Sequence, residues 1–173
     1  MPESSLNLLD SALKMEEKGK KYYDQARITC QNELGREIFG LLSGFEVQHM
    51  DRIRAIFNSL QQGRGWTGQA ASFTPSADMT AVFRKMAREK KEHVQAGTGD
   101  VEALGVGLQF ESASIKFYQD WAAQASDPTE KKFLELMVAE ERDHLNLLSE
   151  MHLYHTDPES WYMQMDRVSL DGA

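Results

Sequence analysis

The chain writes one pattern twice, and that repetition limits its fold more than any other feature. Glu46-Val47-Gln48-His49 and Glu141-Arg142-Asp143-His144 are its two Glu-x-x-His tetrads, and Glu16 with Tyr23 and Glu111 with Tyr118 are its two Glu-x6-Tyr pairs. In each half the tetrad glutamate follows the first glutamate by 30 residues, since 46 minus 16 and 141 minus 111 agree. The halves are offset by 95 residues, from 16 to 111 and from 49 to 144. Neighbouring letters agree loosely, with Lys21-Tyr22-Tyr23 against Lys116-Phe117-Tyr118 and Phe45-Glu46 against Glu140-Glu141. A fixed offset of this kind indicates a duplicated structural unit.

The unit reads as a helical hairpin. Only Pro2, Pro75, Pro128 and Pro158 interrupt the chain, and four long stretches carry helical periodicity. The first, from about Leu6 to Cys30, follows the candidate caps Ser4 and Ser5 and spaces Leu9, Leu13, Glu16, Lys20 and Tyr23 along one side. The second, from about Leu34 to Leu60, has an apolar stripe of Ile38, Leu42, Phe45, Ile53 and Ile56 interrupted by His49. The third, from about Asp100 to Ala125, follows the breaker Gly97-Thr98-Gly99, and the fourth, from about Asp127 to His152, opens with Pro128 in its first turn. Nothing alternates with period two, so the expected class is all-α.

Short connections near Gln31 to Asn32 and Ser126 to Pro128 predict two antiparallel hairpins, and the long segment from Gln61 to Gly99 suits a crossover along a bundle. Within the crossover, Ala77 to His93 reads as a further short helix, with Arg84-Lys85 and Arg88 to Lys91 on a solvated face balanced by Glu89 and Glu92. Gly63-Arg64-Gly65-Trp66-Thr67-Gly68 spells G-x-G-x-x-G, but no strand precedes it, and it reads as a flexible connection rather than a nucleotide loop. The expected organisation is one bundle over residues 1–155 with a tail, residues 156–173, packed back on it through Trp161 and Tyr162.

Composition narrows the chemistry. One cysteine, Cys30, excludes an internal disulfide and the paired Cys-x-x-Cys ligands of a zinc ribbon or rubredoxin site, so a metal here takes nitrogen and oxygen donors. Cys30 itself reads as structural or inert. A net charge of -8 disfavours nucleic acid and anionic lipid as partners. No stretch is apolar for long enough to span a membrane. The start Met1-Pro2-Glu3-Ser4-Ser5 lacks the basic start, apolar run and cleavage site of a secretory signal, and the expected location is the cytoplasm.

Residues three apart share a helix face, so each tetrad can present a carboxylate and an imidazole to one point, while Tyr23 and Tyr118 fall on the stripes of Glu16 and Glu111. In a bundle those stripes face inward. Four ionised carboxylates would be prohibitively costly to bury alone, whereas two divalent cations cancel their charge with both imidazoles neutral. Mixed carboxylate and imidazole ligation suits iron or manganese.

These residues resemble the ferritin-like superfamily, and most closely its rubrerythrin branch, in which two helices give one Glu each and two give Glu-x-x-His. Met15-Glu16-Glu17-Lys18-Gly19 with Tyr22-Tyr23, and Glu111 with Phe117-Tyr118, match the first and third helices, and the tetrads match the second and fourth. The resemblance covers roughly residues 6–155. It implies a four-helix bundle holding two iron ions, replaceable by manganese or zinc, on Glu16, Glu46, His49, Glu111, Glu141 and His144, in a homo-oligomer, a dimer. Well-known rubrerythrins add a cysteine-ligated rubredoxin iron, for which this chain has no residues, so an external donor such as a rubredoxin is expected. They also carry a further glutamate three residues after the third-helix ligand, where this chain has Ser114, a departure that bears on ligand switching.

The implied activity is a di-iron oxidoreductase that reduces peroxide or activates dioxygen, as in the response to oxidative stress. Two other readings stand beside it: a ferroxidase that takes Fe(II) and passes it on, and a metal-stabilised module without turnover. Tyr23 and Tyr118 are the catalytic candidates, read either as core aromatics or as donors to a ligand carboxylate. Glu17 and Glu140 read as solvated neighbours of ligands, and His93, His152 and His155 as surface residues.

Overall fold

The computed structural model describes residues 2–75, 78–90 and 97–170. Its elements are α1 (Pro2–Thr29), α2 (Glu33–Gln61), a 3-10 turn (Gly68–Ala71), α3 (Met79–Lys90), α4 (Thr98–Ala122), α5 (Pro128–Thr156) and α6 (Pro158–Leu170). The protein is all-helical among the described residues, as a ferritin-like bundle requires.

Two apolar clusters show how the helices run. Leu9 and Ala12 near the start of α1 share one cluster with Ile53 and Ile56 near the end of α2, and with Tyr118, Trp121, Phe133 and Leu134. Tyr23, Ala26 and Cys30 at the end of α1 share the other with Leu34, Ile38, Phe39, Leu104, Leu147 and Leu148. Both hairpins are therefore antiparallel. Glu16 on α1, Glu46 and His49 on α2, Glu111 on α4 and Glu141 and His144 on α5 fall between these two clusters, which form apolar plugs above and below them.

The helix boundaries follow capping chemistry. Asn32 caps α2 by accepting from Gly35 N at 2.9 Å. Asp127 caps α5 by accepting from Thr129 N at 2.7 Å and Glu130 N at 3.1 Å, with Pro128 in the first turn. Asp127→Ala is expected to cost about 1 kcal/mol, and thermal denaturation should register it as a fall of about 2–4 °C. A melting point unchanged by that substitution would show that the cap is redundant.

Some expectations need correction. Ser4 and Ser5 do not cap α1, which already begins at Pro2. Of the breaker Gly97-Thr98-Gly99, only Gly97 stays outside, as the N-cap of α4. The crossover helix spans Met79–Lys90, while residues 77 and 91–93 of the expected segment lie outside the described residues. Its basic face is divided: Lys85 and Arg88 are exposed, with Lys85 3.9 Å from Glu89, whereas Arg84 and Lys90 dock on the bundle. Arg84 donates to both Glu150 oxygens, at 2.6 and 3.0 Å, and Lys90 reaches Glu37 at 2.5 Å and Glu33 at 3.3 Å. The turn after α2 uses Gly63 (φ 70°) and Gly65 (φ 72°), a left-handed backbone that suits glycine.

In α6, Trp161 is buried in the cluster with Phe83 and Tyr154 and donates its Nε1–H to Glu150 at 3.0 Å. Residues 171–173 lie outside the described residues. Among the described residues, no helix is long and apolar enough to cross a membrane.

Candidate metal centre

Each hairpin delivers its share of donors from the stretch between the apolar plugs. Glu16 comes from α1, Glu46 and His49 from α2, Glu111 from α4, and Glu141 and His144 from α5. None is more than 4% exposed. Their donor atoms form two groups, Glu46, Glu111, Glu141 with His144, and Glu16, Glu46 with His49, within each of which all chosen atoms lie within 4.8 Å of one another. The groups share Glu46 and together contain all six residues that the repeat singled out.

The two histidines stack face to face, with ring centroids 5.4 Å apart. His49 Nδ1 lies 3.1 Å from Glu16 Oε2, 3.5 Å from Glu141 Oε1 and 3.9 Å from Glu46 Oε2. His144 Nδ1 lies 3.3 Å from Glu141 Oε2 and 3.7 Å from Glu111 Oε2. Glu141 thus reaches both imidazoles.

The tyrosines cross between hairpins. Tyr23 on α1 donates its hydroxyl to Glu111 Oε1 on α4, and Tyr118 on α4 donates to Glu16 Oε1 on α1. Each fixes one carboxylate oxygen and leaves the Oε2 atom toward a histidine. Burial is the chief cause that pushes both phenols well above their ordinary range, with the neighbouring carboxylates adding to it, so both remain protonated donors.

Charge in the cluster is divided by protons. Burial works against the charge of Glu16, but the hydrogen bond with Glu46 and the charge of His49 outweigh it and bring its pKa to about 2. Glu111 is likewise lowered against burial, chiefly by His144. Glu46 and Glu141 go the other way, pushed well up by burial and then by the carboxylates beside them. Burial opposes the imidazolium of His49, yet Glu141 and Glu16 raise it to about 10, and His144 is raised against burial mainly by Glu111. The cluster thus favours protons on Glu46, Glu141 and the two imidazoles, and charge on Glu16 and Glu111.

That distribution leaves atoms unsatisfied. Among the described residues, both Glu141 oxygens and both His144 nitrogens are buried without a hydrogen-bond partner, and the 3.3 Å pair between them lacks hydrogen-bond geometry. Buried polar atoms without partners are costly. A divalent cation accepts lone pairs from carboxylate oxygen and imidazole nitrogen alike, so the donor set fits a metal better than it fits the protons alone.

The surroundings are also shaped for these carboxylates. A Cβ on Gly19 would stand 3.2 Å from Glu46 Cδ, so glycine gives that side chain its space. The repeat partner of Gly19 is position 114, where Ser114 is buried. A small residue therefore occupies both equivalent places.

One expectation about the neighbours is wrong. Glu140 is buried rather than solvated, with Oε2 2.9 Å from His49 Nε2 and accepting also from Arg52 Nη1. The repeat held the signal, since position 140 corresponds to Phe45, an inward apolar site. Glu17 is partly exposed, 3.9 Å from Arg54. His152 and His155 are half-buried rather than on the surface; burial lowers the His155 pKa, and its Nε2 is enclosed without a partner among the described residues. His93 lies outside the described residues. Cys30 is buried, its thiol against Asn32 O at 3.4 Å and pushed by burial up to about 11, conditions that suppress the thiolate.

Compared with curated proteins and with solved structures, the chain finds no significant match in either. Compared with protein-family models, it matches that described as Rubrerythrin over residues 7–152, most of its length.

Proposed function

The chain belongs to the rubrerythrin family of ferritin-like di-iron proteins, and from that premise we propose that its buried cluster binds two iron ions and serves a peroxide-reducing or dioxygen-activating oxidoreductase. The observation that carries this reading is the set of six buried donors with Glu141 and His144 left unsatisfied. Glu16 and His49 would hold one ion and Glu111 and His144 the other, with Glu46 and Glu141 between them. When bound, an iron pair supplies the two-electron change that O–O cleavage needs.

The protein's own residues organise that chemistry. Tyr23 and Tyr118 hold one oxygen each of Glu111 and Glu16, fixing the orientation of those carboxylates and keeping hydroxyl donors beside the reacting space. The apolar plugs formed around Leu9 and Ile53 at one end, and around Ile38 and Leu147 at the other, exclude water from it. Reducing one peroxide to two waters takes two protons and two electrons, so electrons must be resupplied for each turnover. Cys30 is the only thiol in these 173 residues, so no rubredoxin-type iron within them restores the ferrous pair. The electrons therefore come from outside these residues, for example from a rubredoxin.

An anaerobic Fe(II) titration tests the reading, with a break expected near two equivalents per chain. Mixing the diferrous protein with excess peroxide should then give one fast turnover that stalls until a donor protein is added. A titration without a break, or uptake of iron that survives loss of the six side chains, would refute the assignment. Continued turnover on a nicotinamide cofactor alone would refute the external donor.

A further inference from the structure

The two halves of the repeat differ at a position that touches the histidines. Positions 45 and 140 correspond, as do 49 and 144, and the fold pairs them crosswise. Glu140 lies against His49, with Oε2 2.9 Å from Nε2. Phe45 lies against His144, with ring centroids 5.2 Å apart. One imidazole therefore has a carboxylate behind it, while the other has a benzene ring and a buried Nε2 with no partner.

Glu140 is itself held in place. Arg52 donates Nη1 to the same Oε2, and the Arg52 guanidinium sits 3.9 Å over the ring of Phe73. The repeat partner of Arg52 is position 147, where Leu147 is buried in the apolar cluster, so the second half has no counterpart of this support. Glu140 belongs to neither group of converging donors, and its Oε2 already faces two donors. Its position is behind the cluster rather than in it.

We propose that Glu140, braced by Arg52, is a positioning residue that fixes His49 with its proton on Nε2 and its Nδ1 toward the cluster, making the His49 half the tighter of two unequal metal positions. The proposal rests on the reading of the six residues as ligands. An imidazole that donates to a carboxylate has its tautomer and ring orientation set, and its free nitrogen becomes a stronger donor. His144 receives neither effect from Phe45. The sequence repeat thus gives near-identical ligand sets, and the broken repeat at 45 and 140 separates their affinities.

Anaerobic Co(II) titration of the full chain, followed by visible absorbance and by proton NMR of the imidazole N–H groups, tests this. The native chain should take up two Co(II) in two separable steps, with one imidazole N–H exchanging slowly with solvent. In Glu140→Gln the tighter step should weaken by roughly 10- to 100-fold, the weaker step should hardly move, and the slow N–H should exchange quickly. Arg52→Gln, at a partly exposed position, should shift the same step and the same resonance less, and it carries the test if Glu140→Gln fails to fold. Two bound ions with unchanged steps in both variants would overturn this inference alone. Loss of one whole equivalent in Glu140→Gln would make Glu140 a ligand and overturn it too, whereas a native chain that binds no Co(II) would sink the ligand reading and this inference together.

Discussion

Loading the protein with two divalent cations is expected to raise its unfolding free energy by about 8 kcal/mol when free metal stands a thousandfold above both dissociation constants, at about 4 kcal/mol per ion. For a chain of this size that corresponds to a rise in melting temperature of roughly 20 °C. The ions also take the place of protons. Without them the cluster favours protons on Glu46, Glu141, His49 and His144, and binding of the ions displaces protons.

The same exchange makes the stabilisation depend on pH. The folded pKa of His49, about 10, lies above its ordinary value of 6.5. Charged His49 therefore stabilises the metal-free fold fully below 6.5, and that contribution is lost as pH rises through about 10. The ion must remove the same proton, so its binding strengthens over the same window. Melting curves of chelated and Mn(II)-loaded protein should consequently move apart between about pH 6 and pH 8. Curves that coincide, or that converge as pH rises, would contradict the exchange.

The second large effect is expected from Glu141→Ala. Glu141 is fully buried and reaches both imidazoles, at 3.5 Å from His49 Nδ1 and 3.3 Å from His144 Nδ1. Its removal should abolish uptake of both ions, a loss larger than the roughly 10- to 100-fold that an outer hydrogen-bond partner commands. His49→Ala and His144→Ala should each weaken one position more than the other. Stability without metal should change far less than metal affinity in Glu141→Ala, because neither Glu141 oxygen has a hydrogen-bond partner to lose. Calorimetric titration of the three variants decides the matter. Glu141→Ala protein that still binds one ion tightly would place Glu141 at a single position instead of between two.

Much of this architecture was legible because helix period and ligand spacing reinforce each other. The 30-residue interval from Glu16 to Glu46 spans a tight turn at Asn32, and its recurrence from Glu111 to Glu141 marks a second hairpin of the same length. What stayed hidden depended on contacts between distant segments. Nothing local announces that Arg84 meets Glu150, 66 residues away, or that Lys90 meets Glu33 and Glu37. Glu140 was misread because a glutamate on a helix is usually solvated, and only His49 and Arg52 on another helix make its burial tolerable. The start of α1 was misplaced because Ser4 and Ser5 carry the usual capping chemistry, while Pro2 suits a first turn equally well.

The crossed tyrosines carry an implication for the order in which the protein forms. The candidate ligands within a hairpin lie at most 33 residues apart, but the bonds from Tyr23 to Glu111 and from Tyr118 to Glu16 span 88 and 102 residues. Contacts between near neighbours close early, and those across a long chain interval close late. The hairpins can thus assemble before their acidic faces meet, and the ion site exists only once they dock. Interactions absent from the folding transition state act on the unfolding rate. Bound metal would then govern how long a native molecule lasts, and scarcely how fast a new one is made.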